Sequence, residues 1–259
     1  SVIMKKKLLT FIIIIFTSYS TLSFGENSWN VTKQQHSEYI TVTDLISQVN
    51  GTQWTIRSFV NPDDWFPSLE ANKQGGGFTG HIDVVADFDE QKFELFKFDC
   101  ELDPCTVNGY VELGFKRIGA FYALEPVFHI QSYTVEADQT LPTTHDIFKT
   151  MVGKNIVHEQ PVKYFSRSLI VFDWDPQDTW YPEQIQVFLE WEDRSILRSF
   201  IADCFKKCHT LRVYGEIHNE SGGWGNLAII AHRVEKPLLK IKDNDSIGRN
   251  DNELLTGKK

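Results

Sequence analysis

Four cysteines stand in two close pairs, Cys100 with Cys105 in FDCELDPCTVNGYVELG and Cys204 with Cys208 in IADCFKKCHTLRVYGEIHN. Thiols so spaced can ligate zinc or oxidise to disulfides. The C-x4-C and C-x3-C spacings differ from each other, and the export signal described below leads to an oxidising compartment, so disulfides are the expected state, with three connectivities open. Acids offer a second chemistry. DVVADFDE (83–90, with Asp87, Asp89 and Glu90) and QVFLEWED (186–193, with Glu190, Glu192 and Asp193) could supply the paired carboxylates of a glycoside hydrolase. At hairpin turns the same acids are solvated loop charge. DWDPQD, with Asp173, Asp175 and Asp178, lacks the glycine and distal glutamate of an EF-hand and reads as an acidic turn.

His129, His209, His218 and His232 fall on or near predicted strands, where a histidine is ordinarily a surface or half-buried residue. No G-x-S-x-G elbow, H-E-x-x-H pair, phosphate loop or dinucleotide fingerprint occurs, so no catalytic residue, metal ligand or cofactor is assigned. The aromatics are more informative. Trp54, Phe88 and Trp191 fit core positions, whereas Trp65, Phe66, Trp180 and Tyr181 stand beside prolines and acids in predicted loops, and Trp224 occupies the hairpin tip SGGWG. These five are the candidate ligand-binding residues, because exposed loop aromatics offer large amphipathic area at low entropy cost. The competing role is a plug folded over a barrel end.

Ahead of the strands and helices the chain reads as an export signal. Lys5–Lys7, the apolar run Leu8–Phe16 and the small and polar residues ending at Ser23-Phe24-Gly25 have the order of a secretory signal peptide over 1–25, with Ser1–Ile3 reading as a start-site artefact ahead of Met4. The apolar run is too short to span a bilayer comfortably. Beyond it lie about 234 residues with 23 basic and 35 acidic side chains, a formal charge of −12. That surface disfavours nucleic acid and anionic membranes, which reward Lys and Arg. The residues after Pro237 are polar and read as a disordered tail.

The chain also reads as a duplication. Asp44-Leu45-Ile46 with Gly51 answers Asp146-Ile147-Phe148 with Gly153; Trp65-Phe66-Pro67 answers Trp180-Tyr181-Pro182; DVVADFDE answers QVFLEWED; and Cys100, Cys105 and Gly109 answer Cys204, Cys208 and Gly215. The offsets are 102, 115, 103 and 104, so only the tryptophan match is out of step, which is read as an inserted loop over Ser68–Phe78. Ordered matches at one long period mark repeated units. Each unit then reads as a short helix N-capped by Asp44 or Asp146 and closed by glycine, and a strand near 52–60 or 156–165. Hairpins follow at 82–98 and 185–201, turning at Asp89-Glu90 and Glu192-Asp193, and then glycine-containing hairpins at 106–131 and 210–235. In 211–217, Leu211, Val213, Gly215 and Ile217 share one face and Arg212, Tyr214 and Glu216 the other. The duplication selects Cys100–Cys105 and Cys204–Cys208 among the connectivities.

LRVYGEIHNESGGWGNLAIIAHRVE, Leu211 to Glu235, resembles the fourth and fifth strands of an OB-fold, a five-stranded Greek-key barrel, and TVNGYVELGFKRIGAFYALEPVFHI is a weaker copy in the first unit. The resemblance implies a mainly β chain of two tandem OB-like barrels, 44–133 and 146–236, each with a short N-terminal helix, flanked by an N-terminal segment 26–43, a linker 134–145 and the tail 237–259. It also implies ligand binding on the face of strands 2 and 3 and at the loops beside it. Fold does not choose the ligand, and the acidic hairpins disfavour nucleic acid. The expected function is an exported, non-enzymatic protein that binds a protein, peptide or glycan partner, against the alternatives of a carboxylate-based cell-wall or polysaccharide hydrolase or an enzyme inhibitor.

Overall fold

The computed structural model describes residues 28–34, 36–62, 67–72, 80–118, 121–173, 183–205, 207–219 and 226–237. Within these the chain is mainly β. The strands are β1 Ser28–Asn30, β2 Ile40–Thr41, β3 Thr52–Asn61, β4 Ser68–Glu70, β5 Ile82–Ala86, β6 Cys105–Ile118, β7 Phe121–Thr134, β8 Asn155–Phe165, β9 Leu169–Asp173, β10 Glu183–Phe188, β11 Thr210–Asn219 and β12 Leu227–Glu235. Among the described residues four helices accompany them: α1 Val42–Val49, α2 Glu90–Leu102, α3 Thr144–Phe148 and α4 Arg194–Cys204.

Strands β3 to β7 close on themselves. β3 pairs antiparallel with β4, β4 with β5, β5 runs parallel to β7, β7 pairs antiparallel with β6, and β6 returns antiparallel to β3. Closure leaves this five-strand barrel without a free edge, and its order is compatible with an OB-like fold. Strands β8 to β12 pair in the same cyclic order, again with one parallel step, β10 beside β12. A short parallel pairing of β10 with β7, Glu183 opposite Tyr122, joins the two sets. β1 adds antiparallel to β12 at Ser28–Asn30, and β2 adds parallel to β8.

The alternation read in 211–217 holds: Leu211, Val213, Gly215 and Ile217 are buried and the residues between them face outward. Gly109 and Gly215 occupy matching places, each at a β-bulge in the hairpin of β6 with β7 or β11 with β12. A Cβ on Gly109 would lie 2.0 Å from the His129 carbonyl oxygen, and one on Gly215 would lie 2.3 Å from that of Ile230. Only glycine lets the strands approach so closely. The disulfides are Cys100–Cys105 and Cys204–Cys208, as the matched positions require.

Three local expectations are corrected. Residues 82–98 and 185–201 are not hairpins; each is a strand followed by a helix. Asp89 accepts a hydrogen bond from the Lys92 N–H at 2.8 Å and Asp193 one from the Ser195 N–H at 2.7 Å, so the acids read as turn charge are N-caps. Behind them Phe96 and Cys100, and Phe200 and Cys204, recur at helical i, i+4 spacing and are buried. Asp44 and Asp146 are not caps themselves. They sit at the third helical position, where their carboxylates accept from the backbone N–H of the true caps, Thr41 and Thr143, at 3.0 and 2.9 Å.

The third correction concerns the insertion. Ser68–Glu70 is strand β4 rather than loop, and its counterpart in pairing order is β9. Trp65 therefore precedes the second strand of its set while Trp180 follows the second strand of the other. Those tryptophans occupy different connections, which explains the one offset that was out of step.

The core is continuous and aromatic at its centre. Phe200 packs edge-on to Trp29 at 5.1 Å and Phe165 at 4.9 Å, with Trp191 at 5.0 Å. Phe96 meets Tyr133 at 4.9 Å and Phe88 at 6.2 Å. Phe96 and Phe200, fully buried, each stabilise by about 1.5–3 kcal/mol relative to exposure. Trp54, Phe88 and Trp191 pack partly buried against this core, as read from the sequence.

Candidate functional site

Helix α2 has two apolar faces. One, Phe96 and Cys100, packs inward. On the opposite side Leu95, Phe98 and Leu102 recur at i, i+3 and i+7, which puts them on one stripe, and they are 52%, 77% and 72% exposed. A surface helix normally turns polar residues to that side. Three anchors hold the stripe rigidly. Asp89 caps the start of the helix, the Tyr133 hydroxyl donates to Asp99 Oδ2 at 2.9 Å, and the Cys100–Cys105 bridge ties the last turn to β6. Desolvation, and then the Asp99 carboxylate, push the Tyr133 phenol above its ordinary value, so it stays a donor at physiological pH. Glu94, Asp99, Glu101 and Asp103 give the surroundings of the stripe an acidic character, with Lys97 paired to Glu94 and lying over the Phe93 ring.

A second constellation lies where the N-terminal segment crosses β11 and β12. The bulge in this hairpin pairs Tyr214 with Arg233 and Gly215 with Ala231, leaving His232 as the inserted residue. Its carbonyl oxygen accepts from the N–H groups of Val31 at 2.7 Å and Thr32 at 3.1 Å. Those bonds carry the segment past it, and His36, four residues on, stacks on the His232 ring with centroids 5.0 Å apart. Glu216, on the outward face of β11, completes the group. Ligand-capable atoms of His36, Glu216 and His232 all lie within 4.8 Å of one another. His218 Nε2 lies 3.1 Å from Glu216 Oε1. Burial, reinforced by the neighbouring His36, holds the His232 imidazole below its ordinary value.

Three acids of the two matched stretches, Asp89, Asp193 and Glu192, have partners of their own. Besides the caps, Glu192 Oε2 accepts the Lys33 N–H at 3.2 Å. Hydrogen bonds from the Ser195 hydroxyl and then its N–H hold Asp193 below the usual carboxylate range, the opposite of a general acid. Asp173 ends β9, while Asp175 and Asp178 lie outside the described residues.

Of the residues singled out for binding, Trp65, Phe66, Trp180, Tyr181 and Trp224 all lie outside the described residues. The sequence reading misses the second apolar face of α2, because a hairpin over 82–98 has no such face, and it misses the convergence on His232. The mid-strand Gly215 was a usable signal for the latter, since glycine inside a strand marks a bulge or close backbone approach. Among the described residues no helix is long and apolar enough to cross a membrane, and the two disulfides are consistent with an oxidising compartment. No protein-family model and no curated protein matches this chain.

Proposed function

We propose that this chain is an exported, non-enzymatic binding protein made of two tandem OB-like domains, each led by a short helix, and that it recognises a protein partner through the apolar stripe of α2. The observation that carries the reading is Phe98, a phenyl ring 77% exposed between Leu95 and Leu102 on a helix clamped at both ends. A rigid exposed aromatic flanked by aliphatics is the usual form of an interface anchor, because little entropy remains to be lost on binding. The acidic residues beside it favour a partner whose apolar contact is ringed by Lys or Arg. Equivalent pairing order and matched disulfides support the duplication, and the disulfides support export. Trp65, Phe66, Trp180, Tyr181 and Trp224 remain proposed as further contacts, with a peptide or glycan as the alternative occupant of the loops.

The test compares the intact chain with Phe98→Asp, Leu102→Ser and Trp224→Ala variants. Partners are captured from the envelope and medium of the exporting cell, identified, purified and titrated by calorimetry. Phe98→Asp should weaken binding of the identified protein by about 2 kcal/mol or more, with an unfolding free energy within about 0.5 kcal/mol of the parent. A partner that binds Phe98→Asp and Leu102→Ser as tightly as the parent overturns the role of α2. Selective loss with Trp224→Ala, together with binding to a glycan, would move the site to the loops.

A further inference from the structure

The histidine and glutamate constellation at the N-terminal crossing has a chemistry of its own. His36, Glu216 and His232 come from three parts of the chain, an irregular segment and two strands, and their donor atoms lie within 4.8 Å of one another. His232 is only 3% exposed, and its buried Nδ1 has no hydrogen-bond partner among the described residues. A buried imidazole nitrogen without a partner is a cost the fold does not ordinarily retain. Both imidazoles and the carboxylate are borderline-to-hard donors, and the four cysteines are consumed in disulfides.

We propose that His36, Glu216 and His232 form a binding site for a divalent transition-metal ion, with zinc(II) the ion that best suits the donors. Two imidazoles and one carboxylate match a tetrahedral zinc with an open fourth position, and the same set disfavours magnesium and calcium, which take oxygen donors. Tetrahedral ligation at about 2.0–2.1 Å puts donor atoms roughly 3.3 Å apart. The group must therefore contract by somewhat more than an ångström. The exposed His36 side supplies the movement, since His232 is fixed in a bulge and Glu216 in a paired strand. His218 acts as a positioning residue. Its Nε2 lies 3.1 Å from Glu216 Oε1, which would leave the second carboxylate oxygen for the ion.

The ion would also staple the crossing segment. That segment is pinned at β1, at the two N–H bonds onto the His232 carbonyl and at β2, with His36 between the pins. Zinc bound by His36 and His232 would close the remaining span, so metal occupancy and docking of the N-terminal segment are coupled. This inference is independent of the α2 interface.

The experiment uses the untagged full chain, stripped with chelator and titrated with zinc chloride by calorimetry, with magnesium chloride as the control ion. One zinc per chain is expected, with no magnesium heat, and zinc should raise the thermal midpoint in a concentration-dependent way. His36→Ala removes the exposed ring that stacks on His232, so its metal-free midpoint is measured separately, and it should weaken zinc at least about 100-fold. His218→Ala should weaken it by about 10-fold, the scale of an outer partner. His209→Ala, on an exposed histidine outside the group, should bind as the parent does. Cobalt(II) substitution reports the geometry, intense visible bands marking the tetrahedral site. Absence of stoichiometric zinc binding, or His36→Ala binding zinc like the parent, overturns the proposal.

Discussion

His158 gives the most quantitative expectation. It sits on β8 opposite Val213, 5% exposed, with its ring edge-on to Phe172 at 5.0 Å. Burial lowers its pKa from 6.5 to about 4. Between those values the unfolded chain binds the proton and the folded chain does not, so acid favours unfolding. Stability contributed by the neutral ring is full above pH 6.5, falls as the pH drops through that window, and levels off below about 4. The whole gap is worth about 3 kcal/mol, of which about 2 kcal/mol is lost by pH 5. Against a domain stability of about 5–15 kcal/mol this is large.

Carboxylates titrate in a lower window. Asp44, Asp138, Asp146 and Asp193 are held below the ordinary value by hydrogen bonds from hydroxyl, backbone or lysine groups, so their contribution stands above the unfolded value of 3.8 and is lost only as pH falls through the lower folded values. Working at pH 5 separates the two effects. Urea unfolding followed by tryptophan fluorescence at pH 7 and pH 5, on the parent and on His158→Leu, isolates the ring, because every other group is common to both. The parent should lose about 2 kcal/mol more than the variant between the two pH values. Equal losses in parent and variant would show that His158 is protonated in the folded chain as easily as in the unfolded one, and would refute the burial argument.

Replacing Cys100 and Cys105 by alanine, or Cys204 and Cys208, removes a constraint over 5 or 4 residues and should cost about 2 kcal/mol per bridge by loop entropy, read from denaturant midpoints. Peptide mapping without reduction should recover only Cys100–Cys105 and Cys204–Cys208. Gly109→Ala and Gly215→Ala each drive a Cβ into a backbone carbonyl and should destabilise by about 3 kcal/mol or more, whereas Gly51→Ala, with open space and φ of +78°, should cost about 1 kcal/mol. Equal, small losses at all three would remove the close-approach account of the bulges.

Period-two alternation, paired glycines and paired cysteines were enough to place the two terminal hairpins, the bridges and the mainly β class, because each reports a local constraint: one face buried, one Cβ forbidden, one short loop closed. Asp89 and Asp193 show the limit of that locality. An acid after an apolar run caps a helix as readily as it turns a hairpin, and the decision came from Phe96 and Phe200, whose burial against Tyr133 in one case and Trp29 in the other makes the helix the only conformation that uses them. The same tertiary choice exposed Phe98 on the far side of α2, so the stripe could not be read while 82–98 was a strand pair. His36, Glu216 and His232 are separated by up to 196 residues in sequence and share no motif. Their meeting depends on β1 docking along β12 and on a bulge that adds one residue to a strand, and such register and long-range pairing are set by the packed whole and not by any window of sequence.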